Sequence, residues 1–101
     1  MKPIIAEVTV VPLGTSSPSL SVYVAEVEKV LRKYTNINSL LTPMSTILEG
    51  EMDDIFRIIK EMHEVPFTQG ALRVSTRISI DDRRDKEISM QSKLKSVQSK
   101  L

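Results

Sequence analysis

Apolar residues in this chain switch between spacing of two and spacing of three or four, and the order of those switches restricts the fold more than any one motif. Over residues 4–12, Ala6, Val8 and Val10 alternate with Ile5, Glu7, Thr9 and Val11, which predicts a strand with one drier face. Pro12 and Gly14 close it, and after the Gly14-Thr15-Ser16 turn the pair Ser17-Pro18 offers a side-chain cap and a proline for the first helical position. A helix is expected from there to about Tyr34, its stripe formed by Leu20, Val24, Val27 and Leu31 and widened by Tyr23 and Val30. Glu26, Glu28, Lys29, Arg32 and Lys33 fall to its wet face.

Asn36 and Asn38 mark a return turn, residues 39–42 are a short extended run, and Pro43 favours an edge or a bulge there. The ribbon 44–49 follows at once and is expected to pair antiparallel with that run, with Met44, Thr46 and Leu48 toward the helices and Ser45, Ile47 and Glu49 away from them. Glu51, Asp53 and Asp54 put negative charge at the start of a second helix, whose stripe is Met52, Ile55, Phe56, Ile59 and Met62, with Ile58 beside it. Pro66 is expected to end or kink it, with Gly70 as the stop. Residues 71–80 alternate again, Leu72, Val74, Thr76, Ile78 and Ile80 against Arg73, Ser75, Arg77 and Ser79. After a charged turn at 81–86, a sparse stripe of Ile88, Met90 or Gln91, Leu94, Val97 and Leu101 predicts a third, mostly polar helix over 87–100.

Strand, helix, strand, strand, helix, strand is the order of the ferredoxin-like α+β unit, βαββαβ, an antiparallel sheet with two helices on one face; here it gains an extra C-terminal helix. A chain of 101 residues is expected to make one such domain, over 1–101. The other face of the sheet, carrying Glu7, Thr9, Ser45, Ile47, Glu49, Arg73, Ser75 and Arg77, is left open. Carboxylates and arginines on neighbouring strands suit a polar interface between sheets, so a symmetric oligomer is expected.

Composition removes several classes of function. Zero cysteines exclude disulfides and thiolate chemistry, and a net charge of +1 supplies no field for nucleic acid or an anionic membrane. Four aromatics, Tyr23, Tyr34, Phe56 and Phe67, are too scattered for a base-stacking platform. The apolar stretch at the amino terminus is interrupted by Glu7, short of a signal peptide or membrane span, so a cytoplasmic protein is expected. Three glycines form no phosphate loop, and His63, the sole histidine, has no second ligand at helical spacing for a metal. No nucleophile, base and orienter can be assembled, so no catalysis is expected.

Two roles compete for each remaining polar candidate. Thr46 and Thr76 share the helix-facing side of the sheet, where a hydroxyl needs a partner, either local backbone or a ligand. Ser17 is a helix cap that can also meet a ligand. Glu7 and Glu49 either pair with Arg73 or Arg77 across the sheet or serve a ligand. Arg83, Arg84 and Lys86 could hold phosphate, but Asp81, Asp82 and Asp85 among them favour a solvated turn or an intersubunit network.

The blocks Ala6–Thr15, Ser45–Gly50, Ile59–Glu64 and Ile80–Lys86, in that order and spanning essentially the whole chain, resemble the YkoF-like family of small thiamine-binding proteins. The resemblance implies a ferredoxin-like fold, homodimers or homotetramers built as dimers of dimers, and binding of thiamine or its hydroxymethylpyrimidine moiety without catalysis or a required cofactor. It also implies a pocket between the first helix and the ribbon 44–49. Gly14, Thr15 and Ser17 of the turn, Thr46 and Glu49 match its positions, and Thr76 joins them from the same sheet face. A stacked pyrimidine would use Tyr23, Phe56 or methionines. The alternative is a ferredoxin-like regulatory or protein-interaction module without a thiamine ligand.

Overall fold

The structure is a computed structural model that describes residues 3–101. Its elements are β1 (Ile4–Pro12), α1 (Ser21–Leu31), β2 (Asn38–Leu41), β3 (Thr46–Gly50), α2 (Met52–Thr68), β4 (Val74–Asp81) and α3 (Met90–Gln98). The strands lie in the order β2-β3-β1-β4, every neighbouring pair antiparallel. This is the ferredoxin-like arrangement, followed by one further helix.

Alternation along the strands makes the core. Ile4, Ala6 and Val8 of β1 and Leu48 of β3 bury against Val27, Val30 and Leu31 of α1 and Ile55, Ile58, Ile59, Met62 and Val65 of α2. The aliphatic stripe predicted for α2 forms this contact, except that Phe56 lies at its border and is 44% exposed.

Four boundaries depart from the sequence reading. The first helix begins at Ser21, not Ser17: the Ser17 hydroxyl accepts from the Ser19 amide at 3.1 Å, and Leu20 occupies the cap position without a side-chain hydrogen bond. Ser17 therefore closes a local turn instead of capping α1. Met44 is not a strand residue facing the helices but the 85% exposed tip of the β2–β3 hairpin. Pro66 neither ends α2 nor leaves it exposed; it is buried inside the last turn. The stop comes at Gly70, at φ 96°, with Gly70 N–H donating to Phe67 O and Ala71 N–H to Pro66 O, a Schellman ending. β4 starts at Val74, leaving Leu72 95% exposed, and its helix-facing Ile78 and Ile80 remain about 40% exposed.

The open face departs in one further way. Glu7 and Glu49 form no ion pairs with Arg73 or Arg77 among the described residues. Glu7 accepts from Ser45 Oγ at 2.9 Å, and Glu49 accepts the Met90 amide at 3.1 Å. A carboxylate at the positive end of α3 is favoured by the helix dipole, and a Ser89–Ser92 capping box satisfies further amides there. Beyond this anchor and buried Ile88, α3 has no buried residue. The 14.9 Å radius of gyration exceeds the roughly 13 Å usual for this length, as a projecting helix requires.

Candidate functional site

Between α1, the sheet and the β2–β3 hairpin lies a cavity of about 270 Å³. Its origin is a mismatch in strand length. The β1–β3 ladder stops at Val8 opposite Thr46, whereas the β1–β4 ladder continues to Pro12 opposite Val74. Past Val8, one edge of β1 therefore has no strand across from it, and the hairpin bends over that gap. The hairpin is held by Thr42, whose amide donates to Ser45 O and whose hydroxyl also donates to Ser45 O, both at 2.8 Å. The same hydroxyl accepts from the Ser45 amide at 3.1 Å.

Apolar walls come from Val8 and Val10 of β1, the cap residue Leu20 with Val24 and Val27 of α1, Met62 of α2 and Leu41, Pro43 and Met44 of the hairpin. Thr46 is the buried polar residue in this lining, 6% exposed, and its hydroxyl donates to Glu28 Oε1 at 3.0 Å. Small-molecule sites commonly combine apolar walls with a few placed polar groups, which is the composition found here.

Of the six residues singled out from the sequence, Thr46 lines the cavity and the other five do not. Gly14, at φ 74°, turns the chain after β1; Thr15 Oγ1 donates to Ser17 O at 2.8 Å, and the Ser17 hydroxyl takes the Ser19 amide. The Gly14–Ser17 turn is thus closed on itself outside the cavity. Glu49 lies on the open face, as its register requires, and caps α3. Thr76 is on the helix-facing side opposite Val10, but its hydroxyl lies 2.7 Å from His63 Nδ1. His63 is half-buried and meets Phe67 edge-on at 5.6 Å between ring centroids. Neither Tyr23 nor Phe56 reaches the lining; Met44 and Met62 supply its polarisable surface.

Periodicity puts Glu28 on the wet face of the first helix, yet it reaches Thr46. At roughly 3.6 residues per turn it stands only about 40° around from Val24, at the border of the stripe. Within the charged turn, Arg83 donates to both Asp85 oxygens at 2.6 and 2.9 Å, and Arg84 pairs with Asp82 at 2.8 Å. These guanidiniums are occupied locally. Tyr34 donates to Glu61 outside the cavity, a hydrogen bond that raises the phenol's pKa above its ordinary value.

Fold and cavity together define a small ferredoxin-like α+β protein whose short third strand leaves an apolar cleft beneath α1. The chain belongs to the thiamine-binding protein family, whose model matches residues 6–98. It is 50% identical over 100 residues to the UPF0045 protein YqgV of Bacillus subtilis, covering 96% of each chain. A 42% identical relative in Methanothermobacter thermautotrophicus is matched over 97% of this chain and 99% of its own. The crystal structure of the hypothetical protein MJ1052 of Methanocaldococcus jannaschii superposes with a TM-score of 0.86 at 36% identity, over 97% of this chain and 98% of that one. A Thermotoga maritima structure described as a putative thiamine biosynthesis/salvage protein shares the fold, with a TM-score of 0.76 at 20% identity, over 94% of this chain and 98% of its own.

Proposed function

We propose that this protein binds thiamine or its hydroxymethylpyrimidine moiety in the cleft beneath α1, without chemical change, as a cytoplasmic homo-oligomer. The observation that carries the reading is a buried hydroxyl, Thr46, set in an apolar cavity where β1 has lost its β3 partner. A flat heteroaromatic ring matches such a space. Its faces meet Val10, Val24, Val27 and the methionines, while its polar edge meets Thr46 and the unpaired stretch of β1. Membership of the thiamine-binding family supports this ligand class over other flat rings.

Self-association is the second part of the proposal, as a homodimer or homotetramer. Leu40 on the open face and Leu94 and Val97 along α3 are 48%, 59% and 58% exposed, and a partner sheet or helix would cover them. The same exposed surface favours the second reading, an interaction or regulatory module without a thiamine ligand.

Calorimetric titration with thiamine and with hydroxymethylpyrimidine separates the two. Saturable heat is expected from the folded protein, and Thr46→Val is expected to weaken binding at least about tenfold. Absence of heat from either compound near about 1 mM, where even a Kd of that order is detectable, would eliminate the binder in favour of the interaction module. Turnover of either compound, followed by chromatography, would contradict binding without chemistry.

A further inference from the structure

We infer that Glu28 is a positioning residue that fixes the hydrogen-bonding polarity of the cleft, so that the site selects a ring bearing an amino group at Thr46. This rests on the proposed binding of a pyrimidine in that cleft and names the feature of the ring that is read there.

A threonine hydroxyl has one proton and two lone pairs, and on its own can face a ligand as donor or acceptor. Thr46 does not have that freedom. Its proton points to Glu28 Oε1 at 3.0 Å, and a carboxylate can only accept. What Thr46 Oγ1 offers to the cleft is therefore a lone pair. The neighbouring hydroxyls cannot substitute for it. Thr42 Oγ1 gives its proton to Ser45 O and accepts from the Ser45 and Met44 amides, while Ser45 Oγ is turned to Glu7 on the open face of the sheet, the face to which Thr9 also alternates.

Glu28 itself lies behind Thr46, outside the cavity lining, and forms no ion pair among the described residues. Its charge is thus left to polarise Thr46. An oxygen in this state rewards an amino N–H on the ring. It repels a ring nitrogen or carbonyl at the same place, since two lone pairs then face each other with no proton between them. An amino-substituted pyrimidine fits, and its oxo counterpart does not.

The test compares hydroxymethyl-aminopyrimidine with two analogues, one with hydrogen and one with an oxo group in place of the amino group, by calorimetry. The wild-type protein is expected to bind the amino compound at least about tenfold more tightly than either analogue, since the hydrogen analogue loses the bond to Thr46 and the oxo analogue sets two lone pairs against each other. Glu28→Ala, with its fold checked by circular dichroism, is expected to reduce that ratio below about threefold by freeing the Thr46 proton. Thr46→Ser, which keeps the hydroxyl, is expected to preserve the ratio. A merely structural Glu28 would weaken all three compounds alike and leave the ratio intact, which would overturn the inference. Equal wild-type affinity for the amino compound and both analogues would overturn it while leaving the binding proposal standing. No binding of any of the three would overturn both.

Discussion

Glu28 stands about 40° around α1 from Val24, near enough to the apolar stripe for its carboxylate to reach Thr46. Thr46 was legible because strand alternation counts back unambiguously from Leu48, both of them now buried. Glu28 was not, since a side chain at the border of an apolar stripe can turn to either side and only a partner on another element settles it. Ser17 departs from the helix-cap expectation for a related reason: short hydroxyl side chains satisfy nearby backbone as readily as a helix start, as Ser17 and Thr15 both do in the turn. Asp85 offers a check on the local electrostatics. Hydrogen bonding from Arg83 is the main cause that lowers its carboxyl from 3.8 to about 2. Because the folded value is the lower one, the stabilisation is present above the unfolded pKa and is lost as pH falls through about 2. Carboxyl NMR titration is expected to show a midpoint near 2 that returns toward 3.8 in Arg83→Ala; an ordinary midpoint in the parent chain would exclude the pairing.

At the scale of elements, period gave type and order, while ends depended on local contacts. β1, β3 and the core stripe of α2 follow from alternation and from the 3.6-residue repeat. The end of α2 does not, because a proline in the last turn can be tolerated when Gly70 supplies the reversal just beyond it. Pairing across the open face was equally out of reach: Glu49 had a helix terminus available as well as an arginine, and no spacing rule ranks the two. The seam between β3 and α2 is tight at Gly50, where an added Cβ would lie 2.8 Å from Ile37 Cγ2. Gly50→Ala is therefore expected to destabilise the fold by about 1 kcal/mol, overpacking outweighing the entropy gained by removing a glycine. Thermal unfolding is expected to show a fall in Tm of roughly 5 °C. In an Ile37→Ala background, which is itself less stable because Ile37 packs on the core, the same Gly50→Ala change should cost less than in the parent; an unchanged Tm in the single variant would refute the close approach.

For the whole molecule, the strand lengths that build the cleft and the helix that leaves the fold point in different directions. The cleft arises because β3 stops where β1 continues, a mismatch the sequence hinted at only through Pro43. α3 stays outside the core because its stripe is sparse; Ile88, the Glu49 cap and the Lys93–Asp81 pair anchor it among the described residues. Sedimentation is expected to show a species larger than a monomer at micromolar concentration. Leu94→Lys with Val97→Lys should shift it toward monomer without unfolding, as both residues are exposed in the single chain. A clean monomer of the parent chain would contradict the covered-face argument. The proposed ligand site and the proposed assembly surface can be tested separately, as the cleft is lined on the opposite side of the sheet from the Glu49 anchor of α3.

Amide chemical-shift mapping with thiamine reads the proposed ligand position residue by residue. Saturable shifts are expected to be confined to three stretches that meet at the cleft: Val8–Val11, Leu20–Glu28 and Leu41–Thr46. Shifts gathered instead at Gly14–Ser17, along α3 or on the open face around Glu49, or no saturable shifts at all, would contradict that position.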